Sequence, residues 1–228
     1  MTSFASLHLR SELLFSLQSL GYSSASPAQA QFLPPLIAGR SLIAQARAGT
    51  GKTLAFVLAA LQIIDLEELS PQVLILAPTH ELAIQIGELV GKVGDAMKVV
   101  WRACYGGTDV HGDIEALSEG VQVVVGTLGR VYDMLSHGRL EAQLVKLVVV
   151  DDADMLGLKK YRHHFNYIMD EIPEKAQIAV ISTTFPEKFK KFALSYISNP
   201  MKIPESLPNL HPNSQKEVSR QNDKTQPK

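Results

Sequence analysis

The apolar residues of this chain form short, uninterrupted runs that alternate with stretches of helical periodicity. The runs are Ser41–Ala44, Val73–Ala77, Val99–Cys104, Val121–Val125, Leu144–Val150 and Ile178–Ser182. A strand with one face in water would alternate apolar and polar residues, whereas the strands of a parallel sheet are covered on both faces. The pattern therefore predicts an α/β fold, with a parallel sheet and helices on both of its faces.

Two helices are predicted ahead of the first run. Arg10–Leu20 places its leucines at helical spacing, and Gly21 can end that helix. Ser26 and Pro27 supply a cap and a first-turn proline for a second helix, which ends by Gly39. These helices would cover one end of the sheet.

The C-terminal part of the chain has a different composition. From about Pro204 onwards prolines stand among Asn, Ser, Gln and Lys, and Val218 is the single large aliphatic residue after Leu210. Such a segment cannot bury enough apolar surface to order itself. We predict one folded domain over residues 1–203 and a polar, disordered tail over residues 204–228.

A glycine-rich segment follows the first apolar run and opens a helical pattern. Its residues are Ala46, Arg47, Ala48, Gly49, Thr50, Gly51, Lys52 and Thr53. Backbone N–H groups of such a turn can surround phosphate oxygens, while the lysine reaches the β- and γ-phosphates and the threonine hydroxyl binds Mg²⁺. The alternative is an ordinary turn with an exposed lysine, but the strand–loop–helix context favours a phosphate loop.

Three carboxylates follow the buried run Leu147–Val150. They belong to Asp151, Asp152 and Asp154. Ligands of open α/β sheets bind at the carboxyl ends of strands, where one acid can hold Mg²⁺ and its neighbour can accept a proton from attacking water. Acidic turns are common on surfaces, but their position after a buried strand and downstream of a phosphate loop favours a nucleotide site.

Bulk composition limits the possible function classes. The formal net charge is -1 and the pI is about 6.7, so any nucleic-acid contact must come from local groups. Cys104 is the single cysteine, which excludes a disulfide within one chain and indicates a reducing compartment. The longest apolar run, around Leu54–Ile64, is too short to span a bilayer. We predict an intracellular protein, cytoplasmic or nuclear, without a membrane partner.

The adjacent histidines His163 and His164 are the remaining candidate metal ligands. No cysteine or third histidine lies at a ligand spacing from them. We therefore predict that they belong to a solvated helix face rather than to a metal site.

Taken together, the motifs resemble those of the DEAD-box RNA helicase family, whose Asp-Glu-Ala-Asp motif corresponds to Asp151–Asp154 here. The stretch Gly21–Gln29 resembles the Q motif of the family, and Phe4 lies 17 positions before Gly21, where the family keeps an isolated aromatic residue. The resemblance implies a RecA-like P-loop NTPase domain with ATP and Mg²⁺ as cofactors. It also implies that Gln29 reads the adenine edge, with Tyr22 and Phe4 near the base.

Further segments resemble the RNA-facing and coupling motifs, in the family's order. The resemblance implies contacts to single-stranded or duplex RNA, without sequence specificity, by Pro78, Thr79, His80, Gly106, Gly107, Thr127, Gly129 and Arg130. It implies that Ser182 and Thr184 couple the nucleotide site to RNA binding. The stretches Gly94–Met97 and Gly129–Met134 are similar to the initiation factor 4A subfamily, and Leu66–Ser70 together with Leu74–Thr79 is similar to the DEAD-box helicase of the SMN complex.

Four positions depart from the family pattern. Asp152 replaces a catalytic Glu and shortens the arm by one methylene, and a misplacement of about 1 Å can cost roughly 10²-fold in rate. His80 replaces an Arg and removes a permanent charge. Leu128 replaces a Pro, and Thr183 replaces an Ala. We therefore assign Lys52 and Asp152 as the catalytic residues but expect slow chemistry.

No second helicase domain follows in these 228 residues. The first hypothesis is an ATP-binding enzyme or enzyme fragment whose hydrolysis and unwinding are weak or absent in this chain alone. The second is a catalytically weak module that binds RNA or protein, with a partner supplying the second domain or a scaffold. A third is that the chain is a short form, or an incomplete gene model, of a full helicase.

Overall fold

A computed structural model describes residues 2–156, 161–185 and 187–203 of the chain. The predicted tail, residues 204–228, lies outside the described residues. The strands are β1 (Thr2–Ser3), β2 (Ser24–Ala25), β3 (Leu42–Gln45), β4 (Val73–Ala77), β5 (Trp101–Cys104), β6 (Val123–Thr127), β7 (Leu147–Val150), β8 (Gln177–Ser182) and β9 (Met201–Ile203).

Helices connect the strands. They are α1 (Ser11–Ser19), α2 (Pro27–Ile37), α3 (Lys52–Ile63), α4 (His80–Gly94), α5 (Val110–Glu119), α6 (Leu128–Ser136), α7 (Ala153–Leu156), α8 (Arg162–Glu171) and α9 (Glu187–Leu194). Short 3-10 helices span Phe4–Leu7 and Asp95–Met97. No helix within the described ranges has the length and apolar character needed to cross a membrane.

The main sheet has the strand order β5-β6-β4-β7-β8-β3-β9, and every neighbouring pair is parallel. Strand β8 therefore lies between β7 and β3. The loop after β3 and the acidic turn after β7 meet at the carboxyl end of β8, which is where open α/β sheets bind ligands.

Apolar side chains cover both faces of this sheet. In β4, Val73, Ile75 and Ala77 pack into one core with α1 to α4, while Leu74 and Leu76 pack into a second core with α6 and α8. Because both faces are buried, the strands show the uninterrupted apolar runs that predicted them. The predicted α/β class, with helices on both faces, is confirmed.

Several strand boundaries differ from the prediction. Strand β5 begins at Trp101 and β7 at Leu147, later than predicted, and the apolar residues Val100 and Leu144 that precede them are exposed. The edge strand β9 was not predicted, since Met201 and Lys202 are also exposed. The antiparallel pair of β1 and β2 was missed for a similar reason, because two-residue strands carry no periodicity.

Candidate active site

The phosphate loop connects β3 to α3 and contains two glycines in the left-handed region. Gly49 has a φ of 77° and Gly51, the residue that caps α3, a φ of 86°. A Cβ atom at Gly51 would lie 2.5 Å from Nε2 of Gln29, so both conformation and space require glycine there. The N–H of Ala46 donates to the carbonyl of Ser182 at 3.0 Å, which joins the loop to β8.

Lys52, the first residue of α3, is buried against two carboxylates. Its Nζ lies 3.2 Å from Oδ1 of Asp151 and donates a hydrogen bond to Oδ1 of Asp152. Burial alone would lower the pKa of Lys52, but the charges of Asp151 and Asp152 outweigh it and raise that pKa. Burial raises the pKa of the Asp151 carboxyl, and the ammonium of Lys52 opposes this rise. The site therefore holds opposite charges in close contact out of water.

Asp152 occupies an unusual backbone conformation. Its φ is 44°, in the left-handed region, where Asp and Asn are better tolerated than longer side chains. Its N–H donates to Oδ1 of Asp151 at 3.0 Å, and its carboxylate is partly exposed beside Lys52. The predicted water-activating group thus lies next to the predicted phosphate lysine.

The Ser182-Thr183-Thr184 segment contacts the acidic turn directly. The hydroxyls of Thr184 and Thr183 donate to Oδ2 of Asp154 at 2.5 and 3.4 Å, and the N–H of Asp154 donates to Oγ of Ser182 at 3.2 Å. These hydrogen bonds connect the segment directly to Asp154. The coupling role of Ser182 and Thr184 stays a prediction, and these hydrogen bonds are its physical basis.

Ser26 and Gln29 attach α2 to the phosphate loop. Oγ of Ser26 donates to the carbonyl of Thr50 at 2.7 Å, and Nε2 of Gln29 donates to the carbonyl of Gly51 at 3.2 Å. Oε1 of Gln29 accepts from the N–H of Ser26 at 2.8 Å, completing a capping box. One N–H and one lone pair of the amide remain for adenine, so adenine reading stays a prediction.

The loop-anchoring role of Ser26 was missed by the sequence reasoning. The signal was present, because Ser followed three positions later by Gln is the pattern of a capping box. That pattern fixes the start of α2 but not its contact with the loop, which depends on how α2 packs against α3.

The two aromatic residues predicted near the base differ in burial. Phe4 is only 3% exposed and packs in the core beneath α1 and α2, whereas Tyr22 is well exposed. A contact between Phe4 and a base would require its ring to leave this core. The role of both residues stays a prediction.

The predicted RNA-facing residues come together around one open cavity of about 550 Å³, at the carboxyl ends of β4, β5 and β6. Its lining residues include seven of them, namely Pro78, Thr79, His80, Gly106, Thr127, Gly129 and Arg130. The remaining one, Gly107, follows Gly106 in a left-handed conformation. Segments far apart in sequence thus form one surface.

Arg130 makes internal contacts that the sequence did not indicate. Its guanidinium donates to Oδ2 of Asp113 at 2.5 Å and to the carbonyl of Thr108 at 2.9 Å, and its side chain is 9% exposed. Asp113 is buried and also binds Arg102 at 2.9 Å. In this structure Arg130 therefore holds the Gly106–Thr108 turn in place, and its predicted contact with RNA stays a prediction.

Asp113 is the structural residue that sequence reasoning missed at this cavity. Its partners lie on β5 and α6, so no local spacing relates the three side chains. Burial, followed by the charge of Asp113, raises the pKa of the nearby Cys104 thiol to about 12. Cys104 is therefore a protonated core residue at neutral pH.

Replacing Asp113 with alanine is expected to lower the free energy of unfolding by about 2–4 kcal/mol, because Arg130 would be left buried without its partner. Partial exposure of Arg102 reduces the cost on that side. Urea unfolding followed by circular dichroism measures the effect. Asp133→Ala is the matched control, since Asp133 pairs with His137 at an exposed position and should cost less than about 1 kcal/mol. Equal stability of the Asp113→Ala variant and the wild type would contradict the assignment.

The adjacent histidines differ from each other in burial. The ring of His164 is half-buried and stacks on Tyr132, with centroids 4.2 Å apart and planes at 22°, while Nε2 of His163 lies 3.2 Å from the Tyr132 hydroxyl. His163 is exposed, as expected for a solvated helix face, whereas His164 is half-buried because α6 packs against α8. Within the described ranges, no group of three or more candidate metal ligands was found.

Comparison with known proteins places these observations in a family. The model of the DEAD/DEAH box helicase family matches residues 26–192. The chain is 40% identical over 201 residues to the ATP-dependent RNA helicase eIF4A of Coccidioides immitis and 38% identical over 203 residues to that of Yarrowia lipolytica. These matches cover 88% and 89% of this chain but 50% and 51% of the relatives, so the chain spans about half of their length.

Solved structures agree with the sequence relatives. A DEAD box protein from Methanococcus jannaschii matches with a TM-score of 0.85 and 26% identity, over 90% of this chain and 56% of that one. Saccharomyces cerevisiae Dbp5 bound to RNA and ADP BeF3 matches with a TM-score of 0.81 and 30% identity, over 89% and 52%. The chain belongs to the DEAD/DEAH box helicase family, and its described residues form the N-terminal RecA-like domain of a DEAD-box helicase.

Proposed function

We propose that the chain binds ATP with Mg²⁺ at the phosphate loop and couples that binding to RNA at the cavity beside it. The observation that carries the proposal is the junction at β8, where Lys52, Asp151 and Asp152 meet. Buried groups of opposite charge at the carboxyl end of a sheet are costly unless they serve a ligand or a structural pair. Membership of the helicase family, whose relatives are ATP-dependent, indicates that this ligand is a nucleotide.

The donor set fits a magnesium nucleotide. The hydroxyl of Thr53 and the carboxylate of Asp151 are hard oxygen ligands, of the kind that bind Mg²⁺ together with phosphate oxygens and water. When bound, Mg²⁺ would neutralise charge on the β- and γ-phosphates. Lys52 would then move its ammonium from Asp152 towards the phosphates, and Asp152 would be left to accept a proton from water.

The loop amides supply the remaining contacts for phosphate. N–H groups from Arg47 to Thr53 lie around the N-terminus of α3, where the helix dipole favours negative charge. Ser26 and Gln29 hold the loop from the side of α2, and Ser182 joins the loop to the acidic turn, since its carbonyl accepts from the N–H of Ala46 and its hydroxyl from the N–H of Asp154. Hydrogen bonds thus connect α2, the phosphate loop and the acidic turn, and we propose that nucleotide binding to this network alters the neighbouring RNA cavity.

RNA is the proposed partner of the cavity, recognised through its backbone without sequence specificity. The Dbp5 structure bound to RNA and ADP BeF3 supports this assignment by similarity, and another Dbp5 structure contains Nup159 and Gle1. A protein partner that supplies a second domain or a scaffold fits the chain's match to half of its relatives. We propose an intracellular location without a membrane.

A second candidate function is RNA or protein binding with little catalysis. Asp152 favours it, because an aspartate carries the carboxylate on a shorter arm than the glutamate of the family. Measuring nucleotide affinity at the phosphate loop together with ATP turnover distinguishes the two candidates.

Competition between nucleotides tests the adenine site. We expect ATP to displace a fluorescent ATP analogue at least about tenfold more effectively than GTP, because guanine presents the opposite donor and acceptor to the amide of Gln29. Gln29→Ala should weaken the binding of both nucleotides, since it also removes the hydrogen bond to the carbonyl of Gly51. The affinities for ATP and GTP should then become similar. Gln18→Ala, on the exposed side of α1, is the matched control and should keep the preference. Equal competition by GTP against the wild type would refute adenine reading.

A further inference from the structure

The cavity proposed to hold RNA carries an unusual set of charges. Glu81 and Asp133 lie in its lining, and among the described lining residues only Arg130 and His80 can be positive. Arg130 is nearly buried and binds Asp113. With a neutral His80, the side chains that line this cavity carry two negative charges and one positive charge.

His80 lines this cavity at the N-terminus of α4. It is the first residue of α4, so it adds to the positive end of that helix, and its side chain is exposed. Its ring lies 5.5 Å from that of Tyr105, at 38°, and its Nε2 would lie 3.4 Å from a Cβ atom at Gly106. The imidazole thus lies over the turn that Arg130 holds.

The charged and titratable groups that line the cavity with His80 are Glu81 on α4, Arg130 and Asp133 on α6, and Tyr161 just before α8, and the ring of Tyr105, just after β5, lies beside that of His80. The pKa of Glu81 is lowered by backbone hydrogen bonding first and also by His80, so this carboxylate stays charged at neutral pH.

We propose that His80 makes RNA binding by this domain dependent on pH, with tighter binding on the acid side of neutrality. Histidine is the side chain that ordinarily changes charge between about pH 5 and 8. An imidazolium at this position adds one phosphate contact that a neutral ring cannot make. One such contact to single-stranded nucleic acid makes the logarithm of the binding constant fall by roughly 0.7 for each tenfold rise in salt concentration. This inference rests on the proposed RNA function of the cavity.

The test measures binding of a short fluorescein-labelled oligouridylate by anisotropy, with Mg²⁺ and a non-hydrolysable ATP analogue, at about pH 6 and pH 8. The wild type should bind about fivefold more tightly at the lower pH in about 0.1 M salt. His80→Gln should bind weakly at both pH values and His80→Arg tightly at both. His8→Asn is the matched control, because Asn tolerates the left-handed conformation of His8 and this variant should keep the wild-type pH dependence.

Two results would overturn the inference in distinguishable ways. Binding by the wild type that is independent of pH, or that changes with pH equally in His80→Gln, removes His80 as the cause but leaves the RNA function in place. Failure of both the wild type and His80→Arg to bind RNA at either pH removes the proposed function together with the inference.

Discussion

Replacing Lys52 with alanine is expected to weaken ATP binding by about 10- to 100-fold, because charge-assisted hydrogen bonds to phosphate contribute about 1.5–3 kcal/mol. The same change leaves the buried carboxylate of Asp151 without its cation, so the domain should also lose stability. Isothermal titration with ATP and Mg²⁺ measures the affinity, and circular dichroism of each sample establishes that the variant is folded. Lys52 thus serves both the ligand and the fold.

Two further variants separate these roles. Lys92→Ala is the matched control, since its side chain is 62% exposed and pairs with Glu88 on the surface, and its ATP affinity should equal that of the wild type. Lys52→Gln keeps a hydrogen-bond donor without the charge and should fall between the wild type and Lys52→Ala. Equal ATP affinity of folded Lys52→Ala and the wild type would remove the loop from the nucleotide site.

ATP turnover by these 228 residues is expected to be very low and duplex unwinding absent, even with saturating RNA. An arginine supplied across the cleft stabilises charge on the transferred phosphoryl group and contributes roughly 10³ to 10⁵ in rate. The chain matches one half of its relatives, and we propose that the other half supplies that arginine. Fusion to the second RecA-like domain of a relative should therefore raise phosphate release far more than any change at Asp152.

Asp152→Glu alone is expected to restore little. The longer arm matches the family, but residue 152 adopts a left-handed conformation that costs a non-glycine residue about 1–2 kcal/mol and suits Asp better than Glu. Asp152→Glu and the fusion to a second domain act on the same transition state, so their effects on the rate need not multiply. The measurement is phosphate release with RNA for the wild type, Asp152→Glu and the fusion. RNA-stimulated turnover by the unfused wild type, abolished by Lys52→Ala, would contradict the prediction.

The fold was predictable where burial of a strand on both faces produces an uninterrupted run of apolar residues in the sequence. Strands such as β4 are covered on both faces and therefore read as unbroken apolar runs. Strand β9 lies at the edge of the sheet with Met201 and Lys202 in water, so its pairing with β3 leaves no such trace. Similarly, the stacking of His164 on Tyr132 depends on how α6 meets α8, which neither segment encodes alone.

The candidate site follows the same division. The loop Ala46–Thr53 and the acidic turn are local motifs, and the structure brings them together as the topology requires. Their cross-links, such as Thr184 to Asp154 and Arg130 to Asp113, join distant segments and become visible only when the sheet is assembled. Residue type identified the chemistry, whereas tertiary packing determined which groups are already paired.

The position of β3 between β8 and β9 has a consequence for how the domain is made. Every sheet partner of β3 is synthesised much later than β3 itself, as the contact of Gln45 with Thr183 across 138 positions illustrates. Contacts of such long sequence separation form slowly, and a ribosome adds only about 5–20 residues per second. A nascent chain that already contains the whole phosphate loop therefore has no sheet to hold it for seconds. We expect nucleotide to assist folding only after β8 has emerged, and until then the apolar strand β3 has no sheet partner to shield it from aggregation.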